Sequence, residues 1–364
     1  MTVRVVQFST GNVGVHALRQ IIESPHLELV GVHASGPAKV GRDAGELCGM
    51  GLTGVIATDD VAALVALRAD CVVYTSQAET RPQDALAEII AFLEAGTNVA
   101  ATSMVWLVHP AHAEAWLREP LAEACARGGS SLYVNGIDPG FSGDTLPLAA
   151  LTLCQSVERL VVQEVFDYGT YDDADFTGVS FGFGLAPGDE TPTLFLPGVL
   201  TSIWGGPVKV VAESLGVVLD EIRESHDTWL ATEAISCTMM HVDPGHVAAV
   251  RFAVEGIKDG RSVIAMEHVN RLTDAAAPEW PQPPEGRLGV HRVVITGSPG
   301  VEINTHVGLD GVDHNQGGVI ATAARAVNAV PAVVRARPGL LAVRDLPADQ
   351  ASGLLRHRSS AQSG

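Results

Sequence analysis

Ser9-Thr10-Gly11-Asn12-Val13-Gly14 follows the apolar run "VRVVQF" and opens a segment with helical spacing, "VHALRQII". The hexapeptide is G-x-G-x-x-G with serine in the first glycine slot. Residues this small thin the backbone so that a diphosphate can touch it. Gly11 admits the anion, Gly14 lets a helix pack closely on the strand, and free N–H groups and the helix dipole face the negative charge. The serine is small enough for the turn, and its hydroxyl can donate to a phosphate. The spacing therefore predicts a dinucleotide site at Ser9, Thr10, Gly11, Asn12, Val13 and Gly14.

The end of the second strand bears on which dinucleotide. An acid there would bind the ribose 2′-OH of NAD, but the stretch reads "LVGVHASGPAKVGRDAGEL", with no carboxylate from Gly31 to Arg42. Ser35, Lys39 and Arg42 offer a hydroxyl and two cations, which suit the 2′-phosphate of NADP. NADP(H) is favoured and NAD(H) is possible; the alternative is that Lys39 and Arg42 belong to a solvated loop. Thr75, Ser76, Thr102 and Ser103 fall at strand ends on the carboxyl edge, where they either line the nicotinamide ribose or simply cap the strands.

Hydride transfer to a C=O or C=N carbon leaves a charged oxygen or nitrogen that needs a proton donor. Tyr168 and Tyr171 in "VFDYGTYDD", His268 in "AMEHVNRL", His109 and Glu79 are the candidates. His268 shares a strand face with Met266 and Asn270 under period-two alternation. Each candidate has a structural alternative: packed tyrosines, a satisfied sheet histidine, a loop histidine, a surface acid. Asp138 is read as serving the turn before Pro139, and Trp106, Phe141, Tyr168, Phe181 and Trp204 as pocket walls. "HVDPGH" (His241, Asp243, His246) and "HVGLDGVDH" (His306, Asp310, Asp313, His314) contain ligand-type residues without a helical H-x-x-x-H or a cysteine finger, so no metal site is expected.

These residues need a frame, and composition bounds it. The chain has 364 residues, 46% of them hydrophobic, enough for two domains with sizeable cores. A net charge of −19 argues against a nucleic-acid groove or an anionic membrane surface as partner. No run of 18 apolar residues occurs, and no charged leader precedes the first strand, so the expected location is cytoplasmic. Cys48, Cys71, Cys125, Cys154 and Cys237 are scattered and odd in number, as free thiols in a reducing compartment would be.

The first third alternates candidate strands (3–8, 27–34, 71–75, 98–101, 131–135) with helical patterns near 13–23, 59–67, 82–95 and 111–127, the βαβ rhythm of a parallel sheet. After "NGIDPGFSGD" the rhythm changes. A helix over 145–154 leads to the long strand "VERLVVQEVFDYGTY", a loop rich in Gly and Pro, a helix near 204–215, and strands such as "HVAAVRFAVEGIK" and "SVIAMEHVNRL" with few helices between them. That favours antiparallel pairing. "DAAAPEWPQPPEG" is a proline-rich loop, "HPAH" (109–112) a helix start, and "GGVIATAARAVNAVPAVV" a helix that stops at Pro331. The expected class is α/β: an N-terminal Rossmann doubly wound parallel sheet plus an α+β second domain with a mainly antiparallel sheet. The expected division is 1–140 for the dinucleotide domain, 141–315 for the substrate and dimerisation domain, 316–347 for a returning helix and segment, and 348–364 for a disordered tail.

"VVQFSTGNVG", "AKVGRDAGELCG", "DPGF" and "ATAARAVNAVPAVVRARPGLLAVRDLP" form an ordered series from about residue 3 to residue 347. Together they resemble the 2,4-diaminopentanoate dehydrogenase and native amine dehydrogenase family, often labelled dihydrodipicolinate reductase-like. The resemblance implies a homodimer built largely through the second domain's sheet. It also implies reversible hydride transfer between NAD(P)H and a nitrogen-bearing carbon of a small ketone or amine, at a site between the domains. By the same resemblance Asn135, Pro139, Gly140 and Asn328 would lie near the nicotinamide. One departure stands out: where the family carries a catalytic glutamate after the fifth strand, this chain reads "NVAATSMVWLVHP", with Met104 and Val105. Its absence leaves open a second reading, a cofactor-binding sensor or partner subunit without turnover.

Overall fold

The computed structural model describes residues 2–309, 311–347 and 353–355. In chain order the elements are β1 (Val3–Phe8), α1 (Asn12–Glu23), β2 (Leu27–His33), α2 (Ala44–Leu47), β3 (Ala57–Thr58), α3 (Val61–Ala66), β4 (Cys71–Tyr74), α4 (Pro82–Glu94), β5 (Asn98–Ala101), α5 (Ala115–Gly128) and β6 (Ser131–Val134). Then follow α6 (Thr145–Leu151), β7 (Ser156–Asp167), α7 (Val179–Phe181), α8 (Val199–Leu215), β8 (Glu221–Leu230), β9 (Ile235–Ser236), β10 (His241–Val242), β11 (Val247–Lys258), β12 (Arg261–Arg271), β13 (Gly289–Ser298), β14 (Val301–Thr305), α9 (His314–Arg335) and β15 (Gly339–Leu341). They form two compact units. The first comprises 1–104, 116–134 and 323–364; the second comprises 105–115 and 135–322.

The first unit is a seven-stranded parallel sheet in the order β15-β6-β5-β4-β1-β2-β3. Strands β4 and β6 are buried throughout, as sheets covered on both faces require. The strand order steps outward from β1 in both directions, so the carboxyl ends of β1 and β4 flank the switch point where doubly wound sheets bind ligands. Val5, Ala17, Ile21, Ala323, Ala326, Val327 and Val330 share one core on this sheet. The short edge strands β3 and β15 have too few residues for alternation to reveal them in sequence.

The second unit is built on a six-stranded sheet, β14-β13-β7-β12-β11-β8. Four of its pairings are antiparallel and one, β7 with β12, is parallel. The helix α8 lies on one face through Trp204, Val208 and Val211, in a core with Leu160, Val162, Phe252 and Met266. The opposite face carries Arg159, Gln163, Arg251 and Glu267.

Several expectations need correction. The last long helix does not stop at Pro331 but runs to Arg335. Proline removes one backbone bond and crowds the preceding turn; Ala332 and Val333, buried with Tyr133 and Leu341, hold the helix past it. Helix α8 begins at Val199, five residues before the expected start, and contains Pro207. The "HPAH" stretch forms only a 3₁₀ turn, Pro110–His112, and α5 begins at Ala115. By length and apolarity α9 alone among the described helices could cross a membrane. Its burial against both the β6 side chain Tyr133 and the β1–α1 core reads as that of a core helix. All five cysteines are free. Asp310 and the tail residues 348–352 and 356–364 lie outside the described residues.

Candidate functional site

In the first unit, the turn after β1 holds Ser9 at φ +84, a left-handed conformation where the motif ordinarily places glycine. The Gly11 N–H donates to Ser9 Oγ at 3.3 Å, which anchors the serine within the loop. Gly11 is the N-cap of α1 and supplies no side-chain cap, so the N–H groups of the first turn face outward without a built-in partner. A Cβ on Gly11 would meet only Ser9 Oγ, at 3.6 Å. On Gly14 it would lie 2.3 Å from the Ser9 carbonyl oxygen and 2.9 Å from Thr75 Oγ1. One glycine thus leaves room outside, and the other allows the helix to touch the strand. The cradle fits a diphosphate.

Lys39 crosses to this turn, its Nζ donating to the Thr10 carbonyl at 2.7 Å. Ser35 is exposed just beyond β2. Arg42 faces Glu46 at 3.7 Å on the surface. At the end of β2, His33 stacks on Phe8 with centroids 3.9 Å apart, and burial lowers its pKa. Thr75 is occupied in bracing strands: it donates to the Phe8 carbonyl and accepts from Gln7 Nε2. Ser76 accepts from Arg81, and the Thr102 N–H continues the β4 ladder. Ser103 differs, because its buried Oγ has no partner and can take one from a ligand. Glu79 is half-buried and accepts from the Ala78 N–H, a local turn contact. Asn328 accepts from Gln20 Nε2 at 2.8 Å and sits with Ser24, His26 and Leu27 at the amino edge of the sheet. That corrects its expected place near the nicotinamide: α1 runs away from the carboxyl edge, and Gln20 lies about 9 Å along it from Gly14 at 1.5 Å per residue.

In the second unit, strand register assembles what the sequence scatters. Phe252, His268, Glu164 and His291 are successive cross-strand partners on β11, β12, β7 and β13. Side chains at matched positions on neighbouring strands stand side by side on one face, here the face that carries α8. His268 stacks on Phe252 (4.6 Å, 4°) and is 3% exposed. Its Nε2 lies 3.1 Å from Asp138 Oδ1, which also accepts from the Trp204 indole N–H at 2.7 Å. Asp138 Oδ2 accepts from Ser142 Oγ at 2.6 Å. Glu164 Oε1 accepts from the Tyr168 hydroxyl at 2.7 Å and from Asn270 Nδ2 at 3.0 Å. Ligand atoms of Asp138, Glu164 and His291 all fall within 4.8 Å of one another. His268 Nδ1, His291 Nδ1 and Asn270 Oδ1 are buried without hydrogen-bond partners, although His291 Nδ1 lies 3.9 Å from Glu164 Oε2.

The electrostatics follow from burial and pairing. Burial opposes charge on both members of the His268–Asp138 pair, yet their mutual attraction prevails, raising His268 and lowering Asp138. His291 is lowered by burial. Burial and Glu164 raise Tyr168; burial with Asp173 and Glu164 raises Tyr171 to about 12. The Tyr171 ring lies 5.6 Å from that of Tyr168.

Of the five expected proton donors, the structure gathers Tyr168, Tyr171 and His268 around one network. His109 bonds instead to Glu213, and Glu79 belongs to the first unit. Asp138 is not merely a turn residue, since its carboxylate accepts from Trp204 and Ser142 and pairs with His268. Glu164 and His291 were missed by sequence reading. The signal was present for Glu164: Leu160, Val162, Glu164 and Phe166 share a parity, and a carboxyl in an otherwise apolar inward row is costly without a purpose. Asn135 donates to Asp144 at the start of α6, and Gly140 is pressed on Gly136 and the Asn135 side chain, so this junction with Pro139 positions Asp138. Met104 is fully buried where the family glutamate was expected.

A parallel doubly wound sheet with a diphosphate turn, followed by a second sheet carrying buried acid–base groups, defines an NAD(P)-dependent oxidoreductase. Residues 141–359 match the model of the 2,4-diaminopentanoate dehydrogenase C-terminal domain, and residues 4–95 that of the dihydrodipicolinate reductase N-terminus. An amine dehydrogenase from Streptomyces virginiae is 39% identical over 360 residues, covering 98% of this chain and 100% of its own. The 2,4-diaminopentanoate dehydrogenase of Acetoanaerobium sticklandii is 25% identical over 371 residues, covering 96% and 94%. The solved structure of an amine dehydrogenase from Mycobacterium smegmatis shares the fold, with a TM-score of 0.76 at 18% identity over 95% of this chain and 96% of that one. The chain belongs to the 2,4-diaminopentanoate dehydrogenase and amine dehydrogenase family.

Proposed function

We propose that this enzyme interconverts a small, largely apolar ketone and its amine with NADP(H), using ammonia as nitrogen donor, and that Asp138, His268, Glu164 and Tyr168 replace the family glutamate. When bound at the Ser9–Gly14 turn, the nicotinamide coenzyme supplies or accepts the hydride. The observation that carries the reading is the buried gathering of Asp138, Glu164 and His291 ligand atoms within 4.8 Å. Reductive amination passes through a cationic iminium, and neighbouring carboxyl groups favour that cation.

The residues divide the work. Asp138 fixes the orientation of His268 through Nε2 and favours the doubly protonated ring, whose Nδ1–H has no hydrogen-bond partner and can donate. That donor can protonate the departing hydroxyl of a carbinolamine, which leaves as water. The Tyr168 hydroxyl, bonded to Glu164, holds a second proton beside the carboxyl that faces the cation. Phe252, Trp204 and Phe181 give the surroundings an apolar character suited to small alkyl groups.

Preference for NADP(H) over NAD(H) is supported by Lys39 at the Thr10 carbonyl and by His33, not an acid, at the end of β2. A homodimer through the sheet face bearing Arg159, Gln163, Arg251 and Glu267 is part of the proposal, since α8 packs on the other face and among the described residues no helix of the unit's core covers this one. Five free cysteines suit a reducing, cytoplasmic setting. The test is NADPH consumption with a panel of short ketones, with and without ammonia. The proposal expects consumption only when both ketone and ammonia are present. Consumption with ketone alone would make the enzyme a ketone reductase, because His268 can equally protonate an alkoxide. Tight NADPH binding with no consumption under any condition would return the sensor reading.

A further inference from the structure

His109 and His112 stand apart from the buried network. His109 precedes and His112 ends the 3₁₀ turn Pro110–His112, in the segment 105–115 that groups with the second unit although β5 before it and α5 from Trp116 onward belong to the first. Three residues per turn bring positions 109 and 112 to the same side, and the rings lie 4.7 Å apart. Both point Nε2 at a single atom, Glu213 Oε1 near the end of α8, at 3.0 Å and 2.9 Å. The segment is pressed onto α8: a Cβ on Gly206 would fall 3.2 Å from His109 Cβ.

Two imidazole nitrogens converging on one carboxylate oxygen, from two separate elements, is a donor set of the kind borderline divalent metals take. We propose that His109, His112 and Glu213 form a binding site for a divalent transition metal, Zn²⁺ or a close relative, that fastens the 105–115 segment to α8. The three ligand atoms lie within 4.8 Å of one another. In a tetrahedral site with bonds of about 2.0–2.1 Å the ligand atoms stand roughly 3.3 Å apart, so an ion would spread each nitrogen slightly from Glu213 Oε1 and leave a fourth position for water. Two features suit it further. His109 is almost fully buried and its position is held by packing, while His112 and Glu213 are partly exposed, giving the ion an entry path. Burial lowers the His109 pKa, which favours the neutral imidazole a metal requires. The Lys209 charge opposes protonation of His109 in the same direction.

The site was outside the reach of sequence spacing, because Glu213 is 101 residues from His112. It is separate from the Asp138–Glu164–His291 group, so the experiment must tell the two apart. Untagged protein freed of metal is titrated with Zn²⁺ by calorimetry and, in parallel, with Co²⁺ by visible absorption. The proteins compared are the wild type, His112→Ala, Glu213→Gln, His291→Ala, and a His241→Ala/His246→Ala surface control. The expected result is one equivalent bound by the wild type, by His291→Ala and by the surface control. In His112→Ala or Glu213→Gln, affinity falls by more than the roughly 10–100-fold typical of losing an outer partner, with loss of the Co²⁺ band. Because His112 and Glu213 are partly exposed, both variants keep the fold, checked by circular dichroism. Binding unchanged in His112→Ala and Glu213→Gln, binding abolished only in His291→Ala, or no stoichiometric binding by the wild type would each overturn the assignment.

Discussion

The phosphate turn of the first unit and the carboxyl network of the second solve opposite problems. The turn works by what it omits: Gly11 has open space beside it, and the first N–H groups of α1 lack a side-chain cap. Its capacity to bind comes from unpaired backbone dipoles held in one short segment. The network works by what it encloses. Asp138, Glu164, His268 and His291 come from a loop and three strands, and the two carboxyl groups are tolerated because Trp204 and Ser142 bond to Asp138 and Tyr168 and Asn270 bond to Glu164. A local device can lose a partner and keep its shape. A buried network losing one member leaves the others unpaired.

That contrast can be broken most directly at Gly11. Gly11→Asp places a carboxylate in open space, so the fold should persist while coenzyme binding fails. Two charges about 4 Å apart at an effective dielectric near 20 repel by about 4 kcal/mol, or roughly 1,000-fold in affinity. Calorimetric titration with NADPH checks this, and an unchanged dissociation constant would remove the turn from the site.

His268→Gln sharpens the other side. Coenzyme affinity should stay within about twofold while kcat for reductive amination falls roughly 100-fold, the scale of one positioned acid. The pH dependence carries the sign. His268 is raised above its ordinary 6.5, so the stability that its pairing adds is complete below 6.5 and is lost as pH rises through the folded value. Asp138 is lowered below its ordinary 3.8, so its contribution is present above 3.8 and is lost only as pH falls through the depressed value. The gap in melting temperature between wild type and His268→Gln should therefore be widest near pH 5–6 and narrow on the alkaline side. A gap independent of pH from 5 to 10 would mean that the ring is the neutral imidazole, not the imidazolium, in the fold.

The smallest expected effect is at Lys39. Lys39→Met should cut the preference for NADPH over NADH by roughly 10-fold, about 1.4 kcal/mol for one phosphate contact. Equal effects on both coenzymes would assign Lys39 to bracing Thr10 alone.

Legibility follows the same division. The turn, its strand and its helix are contiguous from Val3 to Glu23, so residue type and spacing carry the whole device. The alternation of α and β likewise exposed the parallel sheet, because each buried strand is a short apolar run beside a helix. What failed was anything set by partners distant in sequence. Pro331 reads as a stop until Ala332 and Val333 are seen buried against Tyr133 and Leu341. Asp138 reads as a turn residue because Trp204 and His268 lie 66 and 130 residues away. His268 was legible as inward-facing by parity, yet its neighbours Glu164 and His291 depend on register, which alternation within one strand does not encode.

The central claim is that coenzyme is held by the first unit and that the second unit's carboxyl network serves the cation. Glu164→Gln tests it in one sample, because the substitution keeps shape and the hydrogen-bond acceptor while removing the charge. The measurement pairs NADPH titration with ammonia-dependent turnover of the same preparation. The account predicts an unchanged dissociation constant for NADPH and a kcat reduced roughly 100-fold or more; full turnover with ammonia and ketone would contradict it.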